Sequence, residues 1–314
     1  MKKTAHDFLR LLRPRQWIKN LAVFAAVTFN GQLFNLSVVE AVLAGFIVFC
    51  ATSSAIYVIN DIIDVEKDRL HPFKRFRPLA NQDISIPAAS LIAIILIIAS
   101  LGAGLFISPI FFLITIVYLL LQVSYSALLK NIAVIDILAL AGGYILRVYA
   151  GEFLSGYHIS VWLLLTTISL SLFLAIGKRR RELTLISNET GKQIAQIRKS
   201  LSHYSERLLD VYASIFATST FISYALFTFF DDISQAPLND IFFPEFLPSA
   251  LHGRKWLMIT IIPVVYGLMR YLQDIYEKHE GESPEKVLFS DKPLLATVVG
   301  WSLLVIFIIY VLQG

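Results

Sequence analysis

Asp61, Asp64 and Asp68 recur at spacings of three and four in the stretch NDIIDVEKDRLHPFKRFRP, residues 60 to 78. On a helix continuing out of the apolar run that precedes them, this spacing stacks the three carboxylates on one face, within about a turn of one another. Carboxylates so close repel each other unless a cation sits among them. Hard oxygen ligands with room left for water and phosphate suit Mg²⁺, which is commonly held by one or two carboxylates plus a substrate phosphate. The competing reading is a solvated helix end whose carboxylates pair internally, Asp64 with Arg69 for example.

The bases that follow favour the ion. Residues 60 to 77 hold four acidic and five basic side chains, and Arg69, Lys74, Arg75 and Arg77 come after the carboxylates, with Pro72 and Pro78 stiffening the loop. A cation site beside guanidinium and ammonium groups is what a diphosphate needs, because the metal bridges some oxygens and Lys or Arg takes the others. The tendency of Lys and Arg to stay on the inner side of a membrane explains where these bases lie, but not their coupling to the Asp row.

The elements that position this loop are membrane spans. The 314 residues are 56% hydrophobic and 16% charged with a mean hydropathy of +0.68, against roughly 25% charged in soluble proteins. Reading with a ruler of about 20 apolar residues gives nine candidate spans: 17–35, 37–59, 88–106, 109–129, 132–151, 159–177, 208–230, 256–276 and 294–312. The first is interrupted by Asn20, Asn30 and Gln32. It lacks a clear small-x-small cleavage site and reads as a retained span rather than a signal peptide. With the N-terminus inside, the inner connections carry 23 Lys and Arg and the outer ones carry only Arg254 and Lys255. That places the N-terminus and the long inner loops 60–87 and 178–207 in the cytoplasm and the C-terminus outside. The expected architecture is all-α: one nine-helix transmembrane domain, residues 1 to 314, in the cytoplasmic (inner) membrane. Cys50 cannot form an internal disulfide. No nucleic-acid partner is expected, and a homo-oligomer is compatible with the sequence.

NDIIDVEKD resembles the NDxxDxxxD motif of the UbiA superfamily of intramembrane prenyltransferases, which implies a nine-helix bundle with a Mg²⁺-diphosphate site at its cytoplasmic mouth. Members of that superfamily typically carry a second Asp-rich motif after the sixth span. Here that loop begins AIGKRRREL, with Lys178, Arg179, Arg180, Arg181 and Glu182. Cations in place of carboxylates suit further anionic groups better than a second metal. Together with RPRQWIKN (13–20), YSALLK (125–130), IDILALAGGYILRVYAG (135–151) and Tyr204, the pattern resembles the decaprenyl-phosphate phosphoribosyltransferase branch. The resemblance implies Mg²⁺-dependent transfer of 5-phosphoribose from phosphoribosyl diphosphate (PRPP) to a polyprenyl phosphate. It implies a diphosphate held by Asn60, Asp61, Asp64 and Asp68 with Lys74 and Arg77, and a 5-phosphate near Lys178, Arg179 and Arg180. Which base meets which phosphate stays open.

Other residues have two readings each. Gln16 and Lys19 are an interfacial anchor beside Trp17 or a contact for the lipid phosphate. Tyr125 and Lys130 cap the fourth span or bind phosphate. Asp136 orients a substrate hydroxyl or a basic residue. Arg147, deep in the same span and about 16 Å further along a straight helix, braces packing, with Glu152 as one partner to consider. His71, His158 and His203 are scattered and make no metal-ligand set. Two rival functions remain: prenyl transfer from a prenyl diphosphate to an aromatic acceptor, and a transporter or lipid-binding protein. Charge concentrated at one mouth of the bundle argues against transport.

Overall fold

A computed structural model describes residues 2–70, 74–188, 199–230, 255–277 and 284–312, without the side chains of 2–5, 70, 185–188 and 199. Among them every regular element is helical. The helices are α1 Lys2–Leu12, α2 Ala25–Phe29, α3 Leu36–Ile63, α4 Val65–Leu70, α5 Ile86–Ile107, α6 Pro109–Ala127, α7 Ile135–Ser155, α8 Val161–Asn188, α9 Glu206–Phe230, α10 Ile261–Glu277, α11 Pro284–Ser290 and α12 Lys292–Phe307. Eight helical segments among the described residues are long and apolar enough to cross a membrane. This is an integral membrane protein.

Those eight coincide with eight of the nine expected spans. The stretch 17–35 differs: Pro14–Phe24 is a 3-10 helix, and only the five residues of α2 follow it as α-helix. Within this stretch Lys19 donates to Gln16 three residues back at 2.7 Å, and Asn20 donates to Ser53 and Cys50 of α3.

Local signals set the helix ends. Ser85 has extended backbone and its hydroxyl accepts from the Ala88 amide at the start of α5, which carries Pro87 in its first turn. Ser108, also extended, separates α5 from α6, and Pro109 opens the latter. Asp291 caps α12 through the Leu294 amide at 2.8 Å and also holds Arg270 of α10 at 2.8 Å.

The chain clusters into two compact units, Met1–Val23, Glu40–Leu154 and Lys192–His203 in the first, and Phe24–Val39, Ser155–Gly191 and Tyr204–Gly314 in the second. In the first, Leu11 of α1 is fully buried with Val58, Val65, Leu79, Ile84 and Ala89, which docks the N-terminal helix beside the carboxylate loop. Arg10 adds a bond to the Phe76 carbonyl at 2.8 Å. Two glycines mark close approaches: a Cβ on Gly151 would lie 1.8 Å from the Val23 carbonyl oxygen, and one on Gly45 would lie 2.2 Å from Leu154. The second unit is centred on Phe29, Leu163, Tyr224, Phe227, Leu257 and Ile308. There the Tyr224 hydroxyl is bonded to Thr260 at 2.6 Å and receives the Trp301 indole N–H at 2.9 Å.

Candidate diphosphate site

α3 carries Asn60 and Asp61 in its last turn, and α4 carries Asp68. Helical bonding runs through the junction, with Asp64 N–H donating to the Asn60 carbonyl at 3.0 Å and Asp68 N–H to the Asp64 carbonyl at 2.8 Å. The three carboxylates therefore hold the register that their spacing implied.

Each carboxylate is met by a cation from elsewhere in the first unit. Asp61, 2% exposed, accepts from Arg13 and, at 3.1 Å, from Arg77 on the same Oδ1. Nη1 of Arg77 also donates to Asp68 Oδ2 at 2.6 Å, so one guanidinium nitrogen bridges two carboxylates. Asp64 accepts from Lys130 Nζ on both oxygens, at 2.7 and 2.8 Å. Arg69 pairs with Glu66 at 2.8 Å, while Asp64 is held by Lys130 from 66 residues away. Burial pushes the Asp68 carboxyl up from its ordinary range, and the neighbouring Arg77 opposes this without overcoming it.

The remaining residues of this unit order those cations. Arg13 ends α1 in the left-handed region at φ 54°, and its guanidinium lies over the Tyr57 ring at 5.2 Å. Arg77 follows the 3-10 turn Lys74–Phe76, with its N–H on the Lys74 carbonyl at 2.9 Å, and the Lys74 charge acts on Asp68. Lys130 sits in the 3-10 turn Leu129–Asn131 and Tyr125, also buried, lies in the last turn of α6. Ser200 is fully buried and contacts the Lys130 carbonyl at 2.8 Å and Asp136 Oδ2 at 3.2 Å. Asp136, itself fully buried, thus braces the Lys130 loop. Val134, between Lys130 and Asp136, has φ 68°, which is unusual for a β-branched residue and marks stored backbone strain. Gln16 accepts from Lys19 at 2.7 Å and from the Tyr57 hydroxyl at 3.2 Å.

The sequence motifs do not single out Arg13, Tyr57 or Ser200. Arg13 heads the RPRQWIKN block and Tyr57 lies one helical turn before Asp61 on the same face, so both carried a signal. Ser200 carried none.

The second unit holds the basic run. Arg179 of α8 is fully buried and donates to Glu182 at 2.6 Å. Arg180 ties α8 to α9 through Asp210 at 2.7 Å and Glu206 at 3.1 Å, bonds Thr184, and lies over the Tyr276 ring. Lys178 is half-buried and Tyr204 buried. His71 and Arg254 lie outside the described residues.

Among the described residues no three acidic, His or Cys side chains form a ready cage for a metal. What the first unit offers is Asp61 and Asp68 converging on one positive atom of Arg77, with Asp64 a turn away. That donor set suits an ion that takes one or two carboxylates and completes its shell with water and phosphate oxygens, as Mg²⁺ does.

The fold and this site define a class: a polytopic helical membrane protein whose described residues bring a row of carboxylates together with Arg and Lys side chains. The UbiA prenyltransferase family model matches residues 21–290, and the chain belongs to that family. It is 35% identical over 315 residues to the decaprenyl-phosphate phosphoribosyltransferase of Corynebacterium glutamicum, covering 99% of this chain and 89% of that one. It is also 35% identical over 304 residues to the enzyme of the same name from Mycolicibacterium smegmatis, covering 96% and 91%. Among solved structures, a UbiA homolog from Archaeoglobus fulgidus bound to GPP and Mg²⁺ superposes with a TM-score of 0.67 at 21% identity, over 96% of this chain and 99% of that chain. At that identity the likeness is one of fold.

Proposed function

We propose that this protein transfers 5-phosphoribose from PRPP to a polyprenyl phosphate with release of diphosphate, at the cytoplasmic face of the membrane and with Mg²⁺ as cofactor. The observation that carries the chemistry is the trio of carboxylates on successive turns, each capped by a cation that a diphosphate would draw away. The choice of substrates is supported by near-full-length likeness to two enzymes of that name.

Asp61 and Asp68 would hold the ion, with Asp64 and Asn60 completing the row. The ion supplies positive charge that stabilises the departing diphosphate. Arg13, Arg77 and Lys130, released from the carboxylates, turn to diphosphate oxygens, and Lys74 adds charge from the loop. Ser200 and Asp136 keep the Lys130 turn in place during that exchange. Tyr125, buried in the last turn of α6, is a further proposed substrate contact. Lys178, Arg179 with its partner Glu182, and Tyr204 are proposed as phosphate ligands in their own right. At ribose C1 the bond to the diphosphate oxygen breaks with its electron pair leaving on the diphosphate, and a lipid phosphate oxygen forms the new bond from the opposite side. A phosphate monoester is already anionic near neutrality, so the chain needs no strong general base. Positioning and electrostatics carry the rate.

The test is incubation of purified protein with radiolabelled PRPP, polyprenyl phosphate and Mg²⁺. Label entering the organic phase supports the assignment. Reaction only with a prenyl diphosphate and an aromatic acceptor would replace it with the family's ordinary chemistry.

A further inference from the structure

The 3-10 helix Pro14–Phe24 is eleven residues long, where runs beyond three or four are uncommon. It lies antiparallel along α3, and polar contacts mark every step. Arg13 meets Asp61, Gln16 meets Tyr57, the Trp17 indole donates to Ser54 at 2.9 Å, and Asn20 donates to Ser53 at 3.2 Å and to Cys50 at 3.3 Å. A period of three stacks Arg13, Gln16 and Lys19 in one row. The polar surface that begins at the carboxylates therefore continues inward among the spanning helices.

Arg147 of α7 closes the inner end of this row. It is 5% exposed, and its hydrogen bonds go to Asn20 Oδ1 at 2.7 Å, the Gly143 carbonyl at 2.7 Å and the Tyr118 hydroxyl at 2.6 Å. Its guanidinium also lies over the rings of Tyr118 and Tyr144. All of these groups are neutral, and they orient the charge without cancelling it. A cation inside a bundle is costly, and a neutral amide would brace three helices as well. The charge itself is therefore the property to explain. Asn20, which Arg147 holds, adjoins Lys19 in the chain, and the half-buried Lys19, Gln16 and Tyr57 together offer an ammonium, an amide and a hydroxyl.

Building on the phosphoribosyl-transfer reading, we propose that Gln16, Lys19 and Tyr57 form a second anion subsite, one that takes a phosphate monoester. Arg147 is its positioning residue, acting through Asn20, the neighbour of Lys19. Two substrate ends share that chemistry: the 5-phosphate of the donor and the head of the lipid acceptor. A subsite for either is separate from the carboxylates that face the diphosphate.

The experiment measures thermal shifts of the full-length protein in detergent with EDTA present, using ribose 5-phosphate and a short-chain polyprenyl phosphate as separate probes. One probe raises the wild-type midpoint, and the identity of that probe names the source. Lys19→Gln weakens its apparent affinity about tenfold, the loss of roughly one charged hydrogen bond. Tyr57→Phe gives a smaller loss, and Arg147→Met loses affinity that Arg147→Lys partly restores. In turnover, Lys19→Gln raises the KM for the matching substrate and leaves the KM for the other unchanged. A wild-type protein that responds to neither probe, or a Lys19→Gln protein that responds as wild type, overturns the subsite. Probe binding by a protein that moves no label from PRPP would retain the subsite and refute the function.

Discussion

Removing the Lys130 ammonium exposes the logic of the site most sharply. Nζ lies 2.7 and 2.8 Å from the two oxygens of Asp64, and the side chains are 9% and 19% exposed. Exposed ion pairs couple by about 0.2–1 kcal/mol, whereas breaking a buried pair costs about 3–5 kcal/mol because a charge is left without a partner. Partial access of Asp64 to water puts Lys130→Met between these limits, at about 2–3 kcal/mol without metal. Asp64→Asn should cost a similar amount, and the double variant should cost less than the sum, with a coupling of about 1.5–2.5 kcal/mol. Unfolding titrations of the four proteins in detergent, with chelator present, give this number. Mg²⁺ and diphosphate together should then lift part of the Lys130→Met penalty, because the ion neutralises the abandoned carboxylate. Additivity within about 0.5 kcal/mol, or no relief from metal and diphosphate, would refute the claim that Lys130 is a placeholder for a cation.

Gly151→Ala should destabilise by about 1–3 kcal/mol or more, because the new Cβ would lie 1.8 Å from a backbone oxygen that cannot swing aside; the unfolding midpoint reports it, and Gly267→Ala, with open space around its Cβ position, is the control. Ser200→Ala should cost about 1–3 kcal/mol by removing its bonds to Asp136 and the Lys130 turn, and Ser200→Thr should recover part of that stability in the unfolding midpoint. The raised Asp68 pKa means the metal-free fold binds that proton more tightly than the unfolded chain, so its contribution to stability is greatest at low pH and is lost as pH rises through the raised value. Mg²⁺ competes with the same proton, so the Mg²⁺ concentration for half-maximal activity should rise as pH falls, and less steeply in Asp68→Asn.

The carboxylate register was legible because a helical period turns spacing into geometry: residues 61, 64 and 68 keep one face even where α3 passes into α4. Eight spans were legible from apolar length alone. The segment after Arg13 was not, because counting apolar residues cannot separate an α-helix from a 3-10 helix. The clue was polar, in Gln16 and Lys19 three apart and Asn20 beside them. Sequence distance hid the partners of the site. Lys130 and Asp64, or Ser200 and Asp136, are brought together only by helix packing, so no local pattern announces them. The basic run after the sixth span was visible as charge, but helical rotation separates its members, directing Arg179 to Glu182 and Arg180 to Asp210 and Glu206.

Equilibrium binding of diphosphate to the purified protein, with Mg²⁺ and with EDTA, bears most directly on the central claim that the row on α3 and α4 exchanges its Arg and Lys partners for a metal carrying that anion. Wild type should bind diphosphate only with the metal present, and Asp61→Asn should lose at least about tenfold in affinity while remaining folded. Diphosphate binding that is indifferent to both metal and Asp61 would contradict it.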